Sequence, residues 1–162
     1  MKDASPILVS ACLLGVPCRY DGAGKADERV LALTKTRRLI PVCPEQLGGL
    51  STPRPPAERT GSRVITRDGA DVTAAFVRGA EETLRLARLF GCRTAILKSN
   101  SPSCGSGRIY DGSFSGRLDS GDGVTAALFK QNGIAVSLES DNFENDELEN
   151  DDLENGGFDA GL

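Results

Sequence analysis

Apolar and polar positions repeat along this chain with two different periods, and the switches between them mark out its elements. Ile7-Leu8-Val9 is a short continuous apolar run that ends at Ser10-Ala11-Cys12 and predicts a buried strand. Asp27 to Arg38 predicts a helix with Val30, Leu31 and Leu33 facing inward. Leu39-Ile40-Pro41-Val42 predicts a second strand, stopped by Cys43-Pro44-Glu45. Proline has no N–H for a ladder, so Pro41 makes this strand an edge or keeps it short. Gly48 to Glu58 reads as a Gly/Pro-rich loop, and Arg63-Val64-Ile65-Thr66 with the Asp68-Gly69 turn predicts a small β excursion. The strongest pattern is Val72 to Phe90, where Phe76, Ala80, Leu84 and Ala87 recur at helical spacing. Asp71 or Thr73 caps that helix and Gly91 ends it. Thr94-Ala95-Ile96-Leu97 is a further buried strand, followed by the loop 98–105. A helix from Gly123 to Gln131 and a strand Ile134-Ala135-Val136-Ser137 complete the series.

Strands alternating with helices predict an α/β fold with a parallel sheet covered on both faces. The expectation is a single Rossmann-like, three-layer domain on a short parallel sheet, its ligand site at the carboxyl ends of the strands. A length of 162 residues fits one domain. We place that domain at residues 1–138 and an acidic C-terminal tail at 139–162. In the tail, Phe143, Leu148, Leu153 and Phe158 recur every five residues, which is neither a strand nor a helix period. No apolar run approaches the roughly 18–20 residues of a membrane-spanning helix. Met1 to Pro6 has no apolar signal-peptide core, so the expected location is cytoplasmic.

Charge changes the picture once it is divided along the chain. The formal net charge is −4, but residues 139–162 hold ten acidic residues and no Lys or Arg. The remaining body has 13 acidic and 19 basic residues, a charge of +6, and 14 of those cations are Arg. Such a body can hold a phosphate-bearing or otherwise anionic ligand. With 5% aromatics and no Trp, stacking platforms for single-stranded nucleic acid are not expected.

Histidine is absent, which removes Ser-His-Asp triads, Cys-His dyads and every His-ligated metal site. Five Cys without an export signal argue against a disulfide framework and for metal binding or catalysis. Cys12 follows the first strand, Cys43 ends the second, and Cys104 lies in the loop after the third. The strand-end rule brings these three thiols to one crevice. Three thiolates without histidine suit a soft metal centre, either an iron–sulfur cluster or zinc completed by a carboxylate. Cys18 competes for a ligand role or supplies a catalytic thiol, and Cys92 reads as a buried small hydrophobe. Glu45 is the best-placed carboxylate for proton transfer, and Ser101 and Ser103 offer hydroxyls beside Cys104. Lys98 at a strand end either binds an anion or is solvated. Arg19-Tyr20-Asp21-Gly22 is a functional loop or an ordinary turn. The Gly-x-Gly at 105–107 is too weak for a dinucleotide site, and no phosphate-loop motif is present.

Five blocks together carry a family resemblance: Ser10-Ala11-Cys12-Leu13-Leu14-Gly15, Cys18-Arg19-Tyr20-Asp21-Gly22, Cys43-Pro44-Glu45, Gly48-Gly49-Leu50 to Pro53-Arg54-Pro55-Pro56-Ala57-Glu58, and Lys98 to Gly105. Over roughly residues 5–138 the chain resembles the thiouracil desulfidases. The resemblance implies a [4Fe-4S] cluster held by three cysteines, with one open iron to take the substrate's sulfur. It implies non-redox conversion of thiouracil, as free base, nucleoside or nucleotide, to uracil with release of hydrogen sulfide. Motif by motif, Cys12, Cys43 and Cys104 become the ligands, with Cys18 the alternative, and Glu45, Ser101 and Ser103 the proton-transfer candidates. The substrate partner is then a small thiolated pyrimidine, with a nucleotide phosphate or a tRNA-derived nucleoside as extensions. Two departures from the family pattern are a shorter stretch between Glu58 and Val64 and the acidic tail. Two other readings stay open: a non-catalytic iron–sulfur or zinc module that binds thiolated tRNA, and a thiol redox protein.

Overall fold

In the computed structural model, residues 4–142 are described. The five-residue repeat that begins at Phe143 lies outside them. Strand β1 (Ile7–Ser10) runs into a 3₁₀ turn over Ala11–Leu14, followed by helix α1 (Glu28–Leu33) and strand β2 (Leu39–Val42). Next come helix α2 (Pro44–Leu47), strands β3 (Ala57–Thr60) and β4 (Arg63–Thr66), and helix α3 (Thr73–Phe90). Strands β5 (Thr94–Leu97), β6 (Arg108–Tyr110) and β7 (Leu118–Ser120), helix α4 (Val124–Gln131) and strand β8 (Ala135–Leu138) close the described chain.

The central sheet has the order β2-β1-β5-β8 with every pair parallel. β1 lies inside it, and all four of its residues are buried, as an interior parallel strand requires. β2 is an edge, where Pro41 sits opposite Val9 and its missing N–H breaks no inner ladder. Alternate side chains leave opposite faces. Leu8, Ala95 and Leu97 pack with Leu84 and Ala87 of α3 and with Ala126 and Phe129 of α4. Ile7, Val9 and Ile96 pack on the other side with Leu13 and Val30. The sheet is therefore a mixed α/β core with apolar clusters on both faces.

α3 ends where Gly91 turns left-handed at φ 69°, and its start is held by Asp71, whose Oδ1 accepts from Thr73 N at 2.9 Å. Against it lies α2, with no room for a side chain between them. A Cβ on Gly79 would meet the Pro44 carbonyl oxygen at 1.9 Å, and one on Gly48 would meet the Ala75 oxygen at 2.0 Å. This close approach fixes Cys43-Pro44-Glu45 on a long, well-packed helix.

Three expectations need correction. The first helix is only Glu28–Leu33 rather than 27–38, and Leu31 is 37% exposed instead of facing inward. Asp27 caps it by accepting from Arg29 N and Val30 N, and Thr34 turns its hydroxyl to the Leu31 carbonyl, leaving 34–38 to lead the chain into β2. The β excursion is a hairpin of β3 with β4, closed at Gly61-Ser62, so the loop at 48–58 gives way to a strand at Ala57. The Asp68-Gly69 turn instead folds the chain back on Thr66 on the way to α3. The β6–β7 hairpin was not anticipated.

Candidate active site

The sheet order places β2, β1 and β5 side by side, so the segments that leave their carboxyl ends are neighbours. Cys12 is in the turn after β1, Cys43 follows β2 and caps α2, and Cys104 is in the loop after β5. A cavity of about 360 Å³ is lined by all three, by Cys18, and by Glu45 and Ser101. Cys92 is elsewhere, buried beneath α3 in the core.

All five cysteines are free thiols, and Cys18, Cys43 and Cys104 are held in protonated form by their surroundings. Cys43 donates to the Cys18 carbonyl oxygen at 3.7 Å. Its pKa is raised first by hydrogen bonding with the Cys18 thiol, then by burial, with the Glu45 charge adding to both. Cys18 is raised chiefly by its hydrogen bond with Cys12. Burial pushes Cys104 up to about 12, against hydrogen bonds from Ser10 and Ser103. Thiols so disposed become thiolates only when a cationic centre compensates them. Among the described residues, no three Cys, Asp or Glu close around a single point as a mononuclear site would require.

Glu45 is in the first turn of α2, and its Oε2 accepts from Arg54 Nη2 at 2.6 Å. Arg54 was not foreseen as a site residue. Its side chain is only 4% exposed, and it also donates to the Cys18 oxygen at 2.9 Å and, through Nη1, to the Ser51 oxygen at 3.1 Å and Thr52 Oγ1 at 2.9 Å. The signal was an Arg set within the stiff Pro53-Arg54-Pro55-Pro56 run, where the backbone is fixed enough to aim a guanidinium. Arg54 Nε is buried and has no hydrogen-bond partner among the described residues.

Ser101 lines the cavity, and its Oγ accepts from Ser103 N at 3.1 Å and Cys104 N at 3.0 Å. Both lone pairs are then used, so the hydroxyl proton is the part of Ser101 left to donate. Ser103 is 1% exposed and is not among the lining residues; its hydroxyl lies 2.9 Å from Thr125 Oγ1, under the start of α4. Lys98 also lines the cavity, ion-paired with Glu139. Its Nζ is 2.5 Å from Glu139 Oε1, and Glu139 Oε2 accepts from Ser99 N. Arg19-Tyr20-Asp21-Gly22 is a turn, closed by Gly22 N to the Arg19 oxygen at 2.9 Å, that also presents Arg19 and Tyr20 to the cavity. Glu58, Tyr110 and Phe114 form a further part of the wall that the sequence patterns did not single out.

One solved structure, described as a [4Fe-4S]-dependent thiouracil desulfidase TudS, is similar at a TM-score of 0.79 and 53% identity, over 83% of this chain and 91% of that one. A relative from Bacillus subtilis (strain 168), described as the uncharacterized protein YbbK, is 46% identical over 145 residues, covering 83% of this chain and 96% of its own. Residues 7–141 match the family profile described as 2-thiouracil desulfurase. The chain belongs to the 2-thiouracil desulfurase family.

Proposed function

We propose that this protein is a [4Fe-4S]-dependent desulfidase that converts a thiolated pyrimidine to the corresponding pyrimidine and releases hydrogen sulfide. The observation that carries the reading is one cavity lined by four thiols, the Glu45 carboxylate and the Ser101 hydroxyl, in a chain with no histidine. The donor set fits an iron–sulfur group: it is all sulfur, four cysteines on one cavity wall, and Cys43 and Cys104 are raised above the ordinary thiol range and need a cationic centre to become thiolates. Cys12, Cys43 and Cys104 are the proposed ligands, one from each of three adjacent strand ends, with Cys18 as alternative ligand or catalytic thiol. When bound, the cluster supplies a Lewis-acidic iron open to the thiocarbonyl sulfur, which polarises the carbon–sulfur bond.

The chain's own residues do the rest. Glu45, oriented by Arg54, takes a proton from the water that attacks the ring carbon. Ser101, its acceptor positions filled by two backbone amides, donates toward the ring nitrogen or the leaving sulfur. Ser103 contributes its backbone N–H to that arrangement, while its hydroxyl is engaged with Thr125. The balance is one carbon–sulfur bond broken, one carbon–oxygen bond formed and two protons leaving with sulfide, so no oxidant or reductant is consumed. A nucleotide phosphate, in this reading, is met by the positive charge of Arg19 and Arg67 on the same wall. The fold is read as a Rossmann-like domain over 1–138 with its site outside the strand ends, in a reducing, cytoplasmic setting that keeps five thiols free.

The test is anaerobic reconstitution with iron and sulfide, followed by assay with 2-thiouracil and with thiouridine monophosphate. About four irons per chain and iron-dependent sulfide release support the proposal. A single zinc without sulfide release contradicts it, as does reversible Cys12–Cys18 oxidation with no need for metal.

A further inference from the structure

Aromatic side chains are rare in this chain and unevenly placed. It has two Tyr, six Phe and no Trp, yet both tyrosines, Tyr20 and Tyr110, line the cavity together with Phe114. Phe114 is half-buried, and its φ of 56° lies in the left-handed region that a bulky residue rarely adopts. Among the described residues only Asn100 shares such a backbone without being glycine, and Asn tolerates it. A conformation of this kind persists where its surroundings over-determine it.

Glu58, buried on β3, accepts through Oε2 from Gly112 N at 2.8 Å and from Phe114 N at 3.0 Å. The loop sits directly on β3, because a Cβ on Gly112 would meet Thr60 Oγ1 at 2.0 Å. Arg67, just past β4, places its guanidinium carbon 5.5 Å from the centroid of the Phe114 ring, and Arg67 and Phe114 both line the cavity. A buried carboxylate, a tight glycine contact and a guanidinium thus converge on one aromatic residue. Nothing in the packing of the core needs it there, since Phe114 belongs to neither apolar cluster.

We infer that Phe114 is the specificity-determining stacking residue of the cavity, backed by Arg67 and positioned by Glu58, and that it takes a flat heterocycle of pyrimidine size. The inference rests on the thiolated-pyrimidine reading above and adds how the ring is recognised. A fixed aromatic face favours a planar π ring over a saturated ring bearing the same polar groups.

The test uses the full chain in two ways. In anaerobically reconstituted protein, F114L keeps apolar bulk without a π face, and F114Y keeps the ring. F114L should raise KM for 2-thiouracil at least about fivefold with a smaller effect on kcat, and F114Y should restore KM. E58A should raise KM in the same way, E58Q should recover it because the amide oxygen still accepts, and E58A/F114L should go no further than F114L alone. An unchanged KM in F114L overturns the inference.

The second measurement does not depend on turnover. Because the chain has no Trp, F114W introduces a single tryptophan at the wall, whose emission can be excited apart from that of the two tyrosines. Uracil should change its emission saturably, and 5,6-dihydrouracil should bind at least about fivefold more weakly. Equal affinity for both, or no response to either, overturns the inference. If the wild type releases no sulfide, the desulfidase reading falls, while the F114W titration still decides the stacking site.

Discussion

Arg54 Nη2 lies 2.6 Å from Glu45 Oε2 and 2.9 Å from the carbonyl oxygen of Cys18. One buried nitrogen therefore ties the proposed base to the loop that carries a fourth thiol. Replacing Arg54 by Met removes the donor from a largely buried carboxylate and from the Ser51 oxygen, and leaves the Cys18 oxygen and the Thr52 hydroxyl only their weaker or remaining partners, Cys43 and Gln46. We expect R54M to lose about 2–4 kcal/mol of unfolding free energy and most of its sulfide release. R54K should recover only part of both, since an ammonium cannot span the same acceptors. Anaerobic chemical denaturation and steady-state assay read the two effects.

Glu45 itself separates chemistry from folding. Glu45→Gln keeps the volume and an acceptor oxygen for Arg54 but cannot take a proton. It should retain about four irons per chain while sulfide release falls roughly 100-fold or more. Activity near that of the wild type would remove Glu45 from the mechanism.

The contact between α2 and α3 leaves no space for a methyl group. Because a Cβ at Gly79 would lie 1.9 Å from the Pro44 oxygen, Gly79→Ala must push α2 away from α3. We expect a loss of about 1–3 kcal/mol, with Cys43 and Glu45 carried out of place. The checks are a lower melting temperature and reduced iron uptake on reconstitution. A melting temperature and iron uptake equal to those of the wild type would show that the contact is not needed.

Glu139 gives the protein an acid-sensitive contact. Burial acts to raise its pKa, but hydrogen bonds from Lys98 and Ser99 outweigh this and the net shift is downward. A carboxylate with a depressed folded-state pKa stabilises fully above its unfolded value, and that contribution is lost as pH falls through the folded value. E139Q should therefore cost stability at neutral pH and flatten the fall in stability below about pH 4.5, the range in which an unfolded Glu titrates. Thermal melts from pH 7 to 3 read this directly.

Much of this was legible in the sequence, for reasons that differ by element. The apolar run at 7–9 and the helical repeat of Phe76, Ala80, Leu84 and Ala87 could only be satisfied by burial, and both elements form where their patterns place them. Pro41 called for an edge strand or a short one because a proline breaks an inner ladder, and β2 is a four-residue edge. Cys12, Cys43, Cys104, Glu45 and Ser101 could be gathered on one crevice because parallel strands share an end, and all five line one cavity. What sequence could not show depends on partners far along the chain. Arg54 reads as one more cation until its Cys18 and Glu45 contacts are seen, and Glu58 reads as surface charge until its bonds to the Phe114 loop appear. Ser103 and Ser101 are two residues apart in one motif, yet only Ser101 reaches the cavity, because Thr125 holds the Ser103 hydroxyl. Glu139 counted as tail in the charge pattern, and only the fold reveals that Lys98 and Ser99 hold it.

The central claim is tested most directly by following both products from 2-thiouracil in anaerobically reconstituted protein. The account predicts uracil and hydrogen sulfide in equal amounts over many turnovers, with no added reductant or oxidant. It also predicts that C12S, C43S and C104S each lose iron and activity together. Uracil without sulfide, a requirement for a reductant, or full turnover in metal-free protein would contradict it.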